Sequence, residues 1–326
     1  MRALICRQFG PPSSLRVEDV PAPLPKAGEV IVAVEAAGVN FPDLLMIEGK
    51  YQRIPPFPFA PGCEAAGTIK RLGAGVIGWN VGDRVMTFVG HDTFAEEVAV
   101  DATQLSKLPG TFDAITGAAF MLTYGTALHG LADRGNLQSG ETLLVLGAAG
   151  GVGSAAIEVG KVFGARVIAA ASSDEKLAFC KSIGADETIN YSREDFRERV
   201  KQLTGGRGVD VAFDPVGGSL AEPTVRAMAR GGRYLVVGFA QGEIPKIPLN
   251  LPLLKNCAIV GVTWGSFVLN GDPGAEHHLR QLAALAAEGR LNPRVTKVYG
   301  LNEAAQALDD MAQRRVTGKV VIDLSR

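Results

Sequence analysis

The sequence predicts an α/β protein with a doubly wound, parallel six-stranded Rossmann sheet and a second, mostly β domain that is discontinuous in sequence. Three observations carry this expectation. Between Thr142 and Trp264, short apolar runs rich in β-branched residues alternate with segments of helix length, as in strand–helix units covered on both faces. The first run ends in Gly147-Ala148-Ala149-Gly150-Gly151-Val152-Gly153 and leads directly into a helical stretch. Residues 1–120 instead show alternating apolar runs such as EVIVAVEAAGV, broken by Pro- and Gly-rich segments such as IPPFPFAPG, a pattern of strands and loops.

The expected strands of the nucleotide-type domain are TLLVLGA (142–148), ARVIAAAS (165–172), DETINY (186–191), VDVAFDPV (209–216), RYLVVGF (233–239) and CAIVGVTW (257–264). Helices SAAIEVGKVF, DEKLAFCKSI and EDFRERVKQL follow the first three. SLAEPTVRAMA follows the fourth, with Pro223 near its first turn, where a missing N–H is tolerated. Six such strands make two mononucleotide-binding halves, with a ligand expected at the switch point. The uncharged stretch Ala114 to Ala132 reads as a buried helix. A helix around His278–Glu288, a strand PRVTKVYG, a helix from Asn302 and a last strand GKVVIDL follow. They are expected to return to the first domain, giving 1–122 with 266–326 as one domain and 123–265 as the other.

Bulk properties exclude several function classes. The chain has 326 residues, enough for two cores. Lys and Arg number 33 against 34 Asp and Glu, so nucleic acid and anionic membranes are poor principal partners. The four cysteines are scattered without a C-x-x-C pair, unlike a disulfide scaffold or zinc knuckle. With an N-terminus unlike a signal peptide, the expected location is the cytoplasm.

Glycines in the 147–153 loop permit a tight turn, close approach of backbone to a pyrophosphate, and packing of helix on strand. The G-x-G-x-x-G pattern is broken at its first position by Ala148, whereas Gly150 and Gly153 hold the other two. At the end of the second strand, NAD-binding proteins usually carry an acid for the ribose 2′-hydroxyl. Here stand Ser172 and Ser173, with Lys176 close behind and Asp174 placed to cap the next helix. Two hydroxyls and an ammonium suit a 2′-phosphate, so NADPH is the expected cofactor.

The chain resembles the zinc-free quinone oxidoreductases of the medium-chain dehydrogenase/reductase superfamily, the group that includes zeta-crystallin. The resemblance spans essentially the full length, through AAGVNFPD (36–43), PGCEAAGTI (61–69), GWNVGDRV (78–85), LTYGTALHGL (122–131), GAAGGVG (147–153), GADETINY (184–191), FDPVGG (213–218) and VVGFAQG (236–242). It implies a GroES-like substrate domain, NADPH, and a homodimer joined through the edge strand 257–264. It also implies roles residue by residue. Asn40 and Asp43 match loop residues beside the nicotinamide and substrate, and Tyr51 matches a pocket tyrosine. Leu45 stands where some members have a second tyrosine, a departure that bears on quinone preference. Thr123 matches a residue near the nicotinamide, and Gly238 and Phe239 match the loop that receives the carboxamide. Lys176 and Tyr191 match the residues holding the 2′-phosphate. Lys319 is expected to reach a cofactor phosphate.

No metal is expected. The loop Gly38-Val39-Asn40-Phe41-Pro42-Asp43 lacks the cysteine of the zinc-bearing branch, and Gly62-Cys63-Glu64 has Cys in place of His, whereas catalytic zinc takes three protein ligands. The implied activity is metal-free hydride transfer from NADPH to a quinone. Two alternatives stand beside it: reduction of an alkenal or enoyl-thioester double bond, and NADPH binding without catalysis.

Overall fold

In the computed structural model, which describes residues 1–325, the chain divides into two compact units. One is Thr123–Ser266; the other joins Met1–Leu122 to Phe267–Arg326.

The Thr123–Ser266 unit holds six strands, all paired in parallel. Across the sheet they run Glu187–Asn190, Arg166–Ala171, Thr142–Val145, Val209–Asp214, Met228–Val236 and Ala258–Gly261. Numbered along the chain, this is the order 3-2-1-4-5-6 of the doubly wound fold. The central strands are apolar on both faces because helices cover both: Leu143, Leu144, Val145, Val211, Ala212 and Phe213 are fully buried. Helices Gly151–Val162, Asp174–Ser182, Phe196–Leu203 and Ala221–Arg226 follow the first four strands.

Two expected elements differ. The run 257–264 is a strand only over Ala258–Gly261, and Trp264 begins a helix, Trp264–Leu269. Packing explains the change, since the Trp264 ring is buried against Gly125, where a Cβ would lie 2.2 Å from it. The stretch 114–132 is not one helix but Ala114–Gly117, Met121–Leu128 and a π-helical turn His129–Arg134. Gly135 N–H donates to Gly130 O at 2.8 Å, the five-residue spacing of a π turn. Among the described residues no helix is long and apolar enough to cross a membrane.

The other unit is mostly β. Its main sheet runs Val295–Gly300, Lys319–Asp323, Glu29–Val39, Glu64–Leu72, Arg84–Phe88 and Leu105–Lys107, with Glu97–Asp101 also paired to Glu29–Val39. Strand Glu29–Val39 organises it. Two register shifts against Glu64–Leu72 bend the strand. Its first half pairs with Glu97–Asp101 and its second half with Lys319–Asp323. The returning C-terminal strand therefore places Lys319 beside the end of Glu29–Val39 and the start of Glu64–Leu72.

Candidate functional site

The first group of candidate residues lies at the carboxyl end of strand Thr142–Val145. Gly147 has φ +55°, a left-handed conformation open to glycine. Ala148, in the first position of the glycine pattern, has no positive φ and donates its N–H to Ala170 O at 3.1 Å. The departure from the pattern thus carries no backbone strain. Gly153 has no room for a side chain: a Cβ would lie 2.4 Å from Gly147 O and 2.8 Å from Ala148 Cα. Gly150 caps the helix Gly151–Val162 without a side-chain hydrogen bond, leaving the first-turn N–H groups, with Val152 among them, to an outside acceptor. This cradle fits a dinucleotide pyrophosphate.

Ser172 directly follows strand Arg166–Ala171. Ser173, rather than Asp174, caps the next helix by accepting from Lys176 N–H at 3.3 Å. Its hydroxyl hydrogen remains available as a donor. Asp174 accepts from Asn190 Nδ2 and Arg193 Nη1, both at 2.6 Å. Tyr191 N–H donates to Ala171 O, which brings its residue beside the end of the serine-bearing strand. The Arg193 contact was missed in the sequence, where its only signal is its place two residues after Tyr191.

Gly238 N–H donates to Asp214 O at 3.3 Å, and Phe239 packs on Gly217, where a Cβ would lie 2.7 Å from the ring. The Asp214 carboxylate accepts from Val216 N–H and Gly217 N–H at 2.7 and 2.9 Å, and from the Tyr234 hydroxyl. The loops 214–218 and 237–241 are thus tied together. Thr123 is buried in the helix Met121–Leu128.

The second group lies in the mostly β unit, where the structure brings Asn40, Asp43 and Tyr51 together with Cys63, Glu64 and Lys319. Asn40 precedes the helix Phe41–Ile47, and its backbone N–H donates to Asp43 Oδ2 at 2.8 Å. Asp43 is completely buried, and its Oδ1 has no hydrogen-bond partner. Burial pushes its carboxyl up to about 7; the Asn40 N–H and the Lys319 charge oppose the rise, and Glu64 adds to it. Tyr51 is half-buried. Its hydroxyl is pushed up by burial and by Cys63 and Asp43 nearby, with Arg53 opposing. The Cys63 thiol is pushed well above its ordinary value by burial and then by Asp43 and Glu64, so it stays protonated.

Lys319 is not where the phosphate expectation placed it. Its ammonium donates to Asn40 Oδ1 and Glu64 Oε1 at 2.7 Å each and to Val39 O at 3.3 Å. These contacts engage all three donors of a buried lysine, leaving none for a phosphate. The same contacts bear on how well a metal would fit at Cys63 and Glu64. Glu64 Oε1 also accepts from Asn40 Nδ2, and Oε2 accepts from Leu122 N–H. A carboxylate whose oxygens already accept from Lys319, Asn40 and Leu122 is a poor fit for zinc, and Cys63 alone falls short of the three protein ligands a catalytic zinc takes.

Comparison with known proteins agrees with both units. Residues 26–110 match the alcohol dehydrogenase GroES-like domain, and residues 151–288 match the zinc-binding dehydrogenase family. The chain is 39% identical over 325 residues to the quinone oxidoreductase-like protein 2 of Bos taurus, covering 99% of this chain and 92% of that protein. It is similar to the quinone oxidoreductase structure from Pseudomonas syringae pv. Tomato, with a TM-score of 0.92, 31% identity and 99% of both chains covered. The Escherichia coli quinone oxidoreductase complexed with NADPH matches with a TM-score of 0.91 and 26% identity, over 99% of this chain and 100% of that one. This chain belongs to the medium-chain dehydrogenase/reductase superfamily, among its quinone oxidoreductase-like members.

Proposed function

We propose that the chain is an NADPH-dependent quinone reductase that works without a metal. The observation that carries this reading is the side-chain-free cradle of Gly147, Gly150 and Gly153 at the head of the helix Gly151–Val162. In this reading Ala148, Gly151 and Val152 complete the pyrophosphate site. Ser172, Ser173, Lys176 and Tyr191 hold the 2′-phosphate. Thr123 lies near the nicotinamide, and the Gly238–Phe239 backbone takes the carboxamide. Bound NADPH supplies the hydride. Asn40, Asp43 and Tyr51 line the substrate side, and Asp43, protonated near neutral pH, holds a proton for the reduced acceptor. Quinones accept hydride without the Lewis acid that alcohol oxidation needs. The choice of NADPH is supported by the engagement of Asp174 with Arg193 and Asn190, which offsets one of the two acidic charges, Asp174 and Glu175, that follow Ser173. The NADPH complex of the Escherichia coli relative favours the same cofactor.

The test follows NADPH oxidation in EDTA-treated protein with a simple quinone, a 2-alkenal and an enoyl-CoA, with NADH as comparison. Quinone turnover that prefers NADPH is expected. Turnover confined to the alkenal or thioester would instead establish a double-bond reductase. Tight binding with no turnover would leave a non-catalytic NADPH-binding protein. In the same assay Lys176→Glu is expected to raise KM for NADPH by roughly 10- to 100-fold, the loss of one or two charge-assisted contacts, and to spare NADH. Equal loss with both cofactors would remove Lys176 from the 2′-phosphate site.

The chain is further proposed to work as a homodimer joined through the edge strand Ala258–Gly261. That strand has one paired neighbour, Met228–Val236, and Ile259 on it is exposed, an arrangement that invites pairing with a second copy. Leu249, Leu253 and Leu254 add exposed apolar surface just before it in sequence. Sedimentation should give a dimer for the wild type and a monomer for Ile259→Lys; a monomeric wild type would end this proposal.

A further inference from the structure

Glu64 and Lys319 form an ion pair at 2.7 Å with side chains 1% and 3% exposed. They stand at the starts of the two strands that flank the end of Glu29–Val39. Gly38, between them, leaves room for the carboxylate, since a Cβ there would lie 2.6 Å from Glu64 Oε1. Desolvating two charges this deeply offsets most of their attraction, and apolar replacements of buried pairs are often neutral or stabilising. Stability therefore does not account for the pair.

Its geometry suggests another role. An asparagine amide is nearly symmetric in shape, and its orientation follows from its partners. Here Lys319, which only donates, faces Asn40 Oδ1, and Glu64, which only accepts, faces Asn40 Nδ2. The charges allow one orientation of the amide. Asn40 in turn donates its backbone N–H to Asp43 Oδ2, so the ring Lys319–Asn40–Glu64 also fixes the start of the helix that carries Asp43.

We propose that Lys319 and Glu64 are positioning residues for the reduction, locking the Asn40 amide and, through its backbone, the Asp43 carboxyl. The proposal rests on the reductase reading above.

The test compares the wild type with Lys319→Met alone and with the apolar pair Glu64→Leu/Lys319→Met. Tm, kcat, KM for NADPH, and amide exchange over residues 38–47 are the readouts. The single variant should lose stability, because it leaves Glu64 buried and unpaired. The double variant should regain Tm over the single variant, yet lose kcat at least tenfold and amide protection over 38–47, with KM for NADPH unmoved. Wild-type kcat and protection in a stable double variant would overturn the proposal. So would a raised KM for NADPH at unchanged kcat, which would return Lys319 to the cofactor. If the double variant fails to fold, Glu64→Gln/Lys319→Met removes both charges with less change of shape and takes its place. A wild type inactive on every acceptor sinks the reductase reading alone, and amide exchange then decides the positioning by itself.

Discussion

Gly153→Val is expected to weaken NADPH binding at least 100-fold, as measured by fluorescence titration. Elsewhere in a helix, replacing glycine by a residue with a side chain normally reduces conformational entropy of the unfolded chain or gains helix propensity. At this position the first side-chain carbon would meet the backbone oxygen of Gly147 at 2.4 Å. The helix must then move off the loop, taking its N–H groups with it. A few degrees of Tm should be lost as well. Gly150→Ala separates the two effects. A Cβ on Gly150 meets nothing nearer than Gly147 O at 3.3 Å, and its φ of −80° suits any residue. That variant should keep its Tm and still bind NADPH more weakly, because the added methyl stands where a ligand's phosphate approaches the backbone. Normal NADPH affinity in Gly153→Val would remove this loop as the pyrophosphate site.

Asp43→Asn should abolish a pH dependence of both stability and rate. Folding raises the Asp43 carboxyl from 3.8 to about 7. Below about pH 4 the group is neutral in folded and unfolded chains alike, and its contribution to stability is fully present. Between pH 4 and 7 the unfolded chain releases the proton while the folded chain keeps it. Stability therefore falls across this window and levels off above pH 7. A shift of that size corresponds to about 4 kcal/mol. In denaturant titrations the variant should lose this component of the slope and gain on the wild type as pH rises toward 8. The rate should follow the same group. Wild-type kcat should decline above pH 7 as the proton leaves Asp43, whereas Asp43→Asn should be flat with pH and slower by about tenfold or more. An unchanged pH–rate profile in the variant would mean that the proton comes from elsewhere, with Tyr51 and solvent as the sources left.

What the sequence disclosed was local. Strand-forming runs such as TLLV and VDVAFD lie between breakers, and they read as buried strands without alternation because both sheet faces are covered. The glycine loop was legible because a tight turn from strand into closely packed helix needs several small residues in one short stretch. In the Ser172–Lys176 segment the helix cap fell on Ser173, one residue before the acid expected to supply it. What was hidden depends on distant contacts. Nothing near Lys319 in sequence announces that its partner lies at Glu64, and the resemblance alone points its ammonium to a phosphate. The length of the edge strand was hidden in the same way. CAIVGVTW is a good strand by propensity throughout, and only burial of the Trp264 ring on Gly125 turns its last residue into a helix start. The break in 114–132 follows from packing rather than from any helix-breaking proline, since Gly130 faces Phe213 closely enough that a Cβ would lie 2.9 Å from the ring.

The pairing of Lys319–Asp323 with Glu29–Val39 also sets an order of events during synthesis. The Thr123–Ser266 unit is contiguous and can fold as its own residues leave the ribosome. Strand Glu29–Val39 is made before it, and its second half can pair early with Glu64–Leu72, but it must wait for almost three hundred further residues to be translated before that half gains its second neighbour. Until then Glu64 has no ammonium to face. A nascent or prematurely terminated chain would therefore carry a finished Thr123–Ser266 unit while the mostly β unit is still unfinished. The mostly β unit is completed only by the last strand.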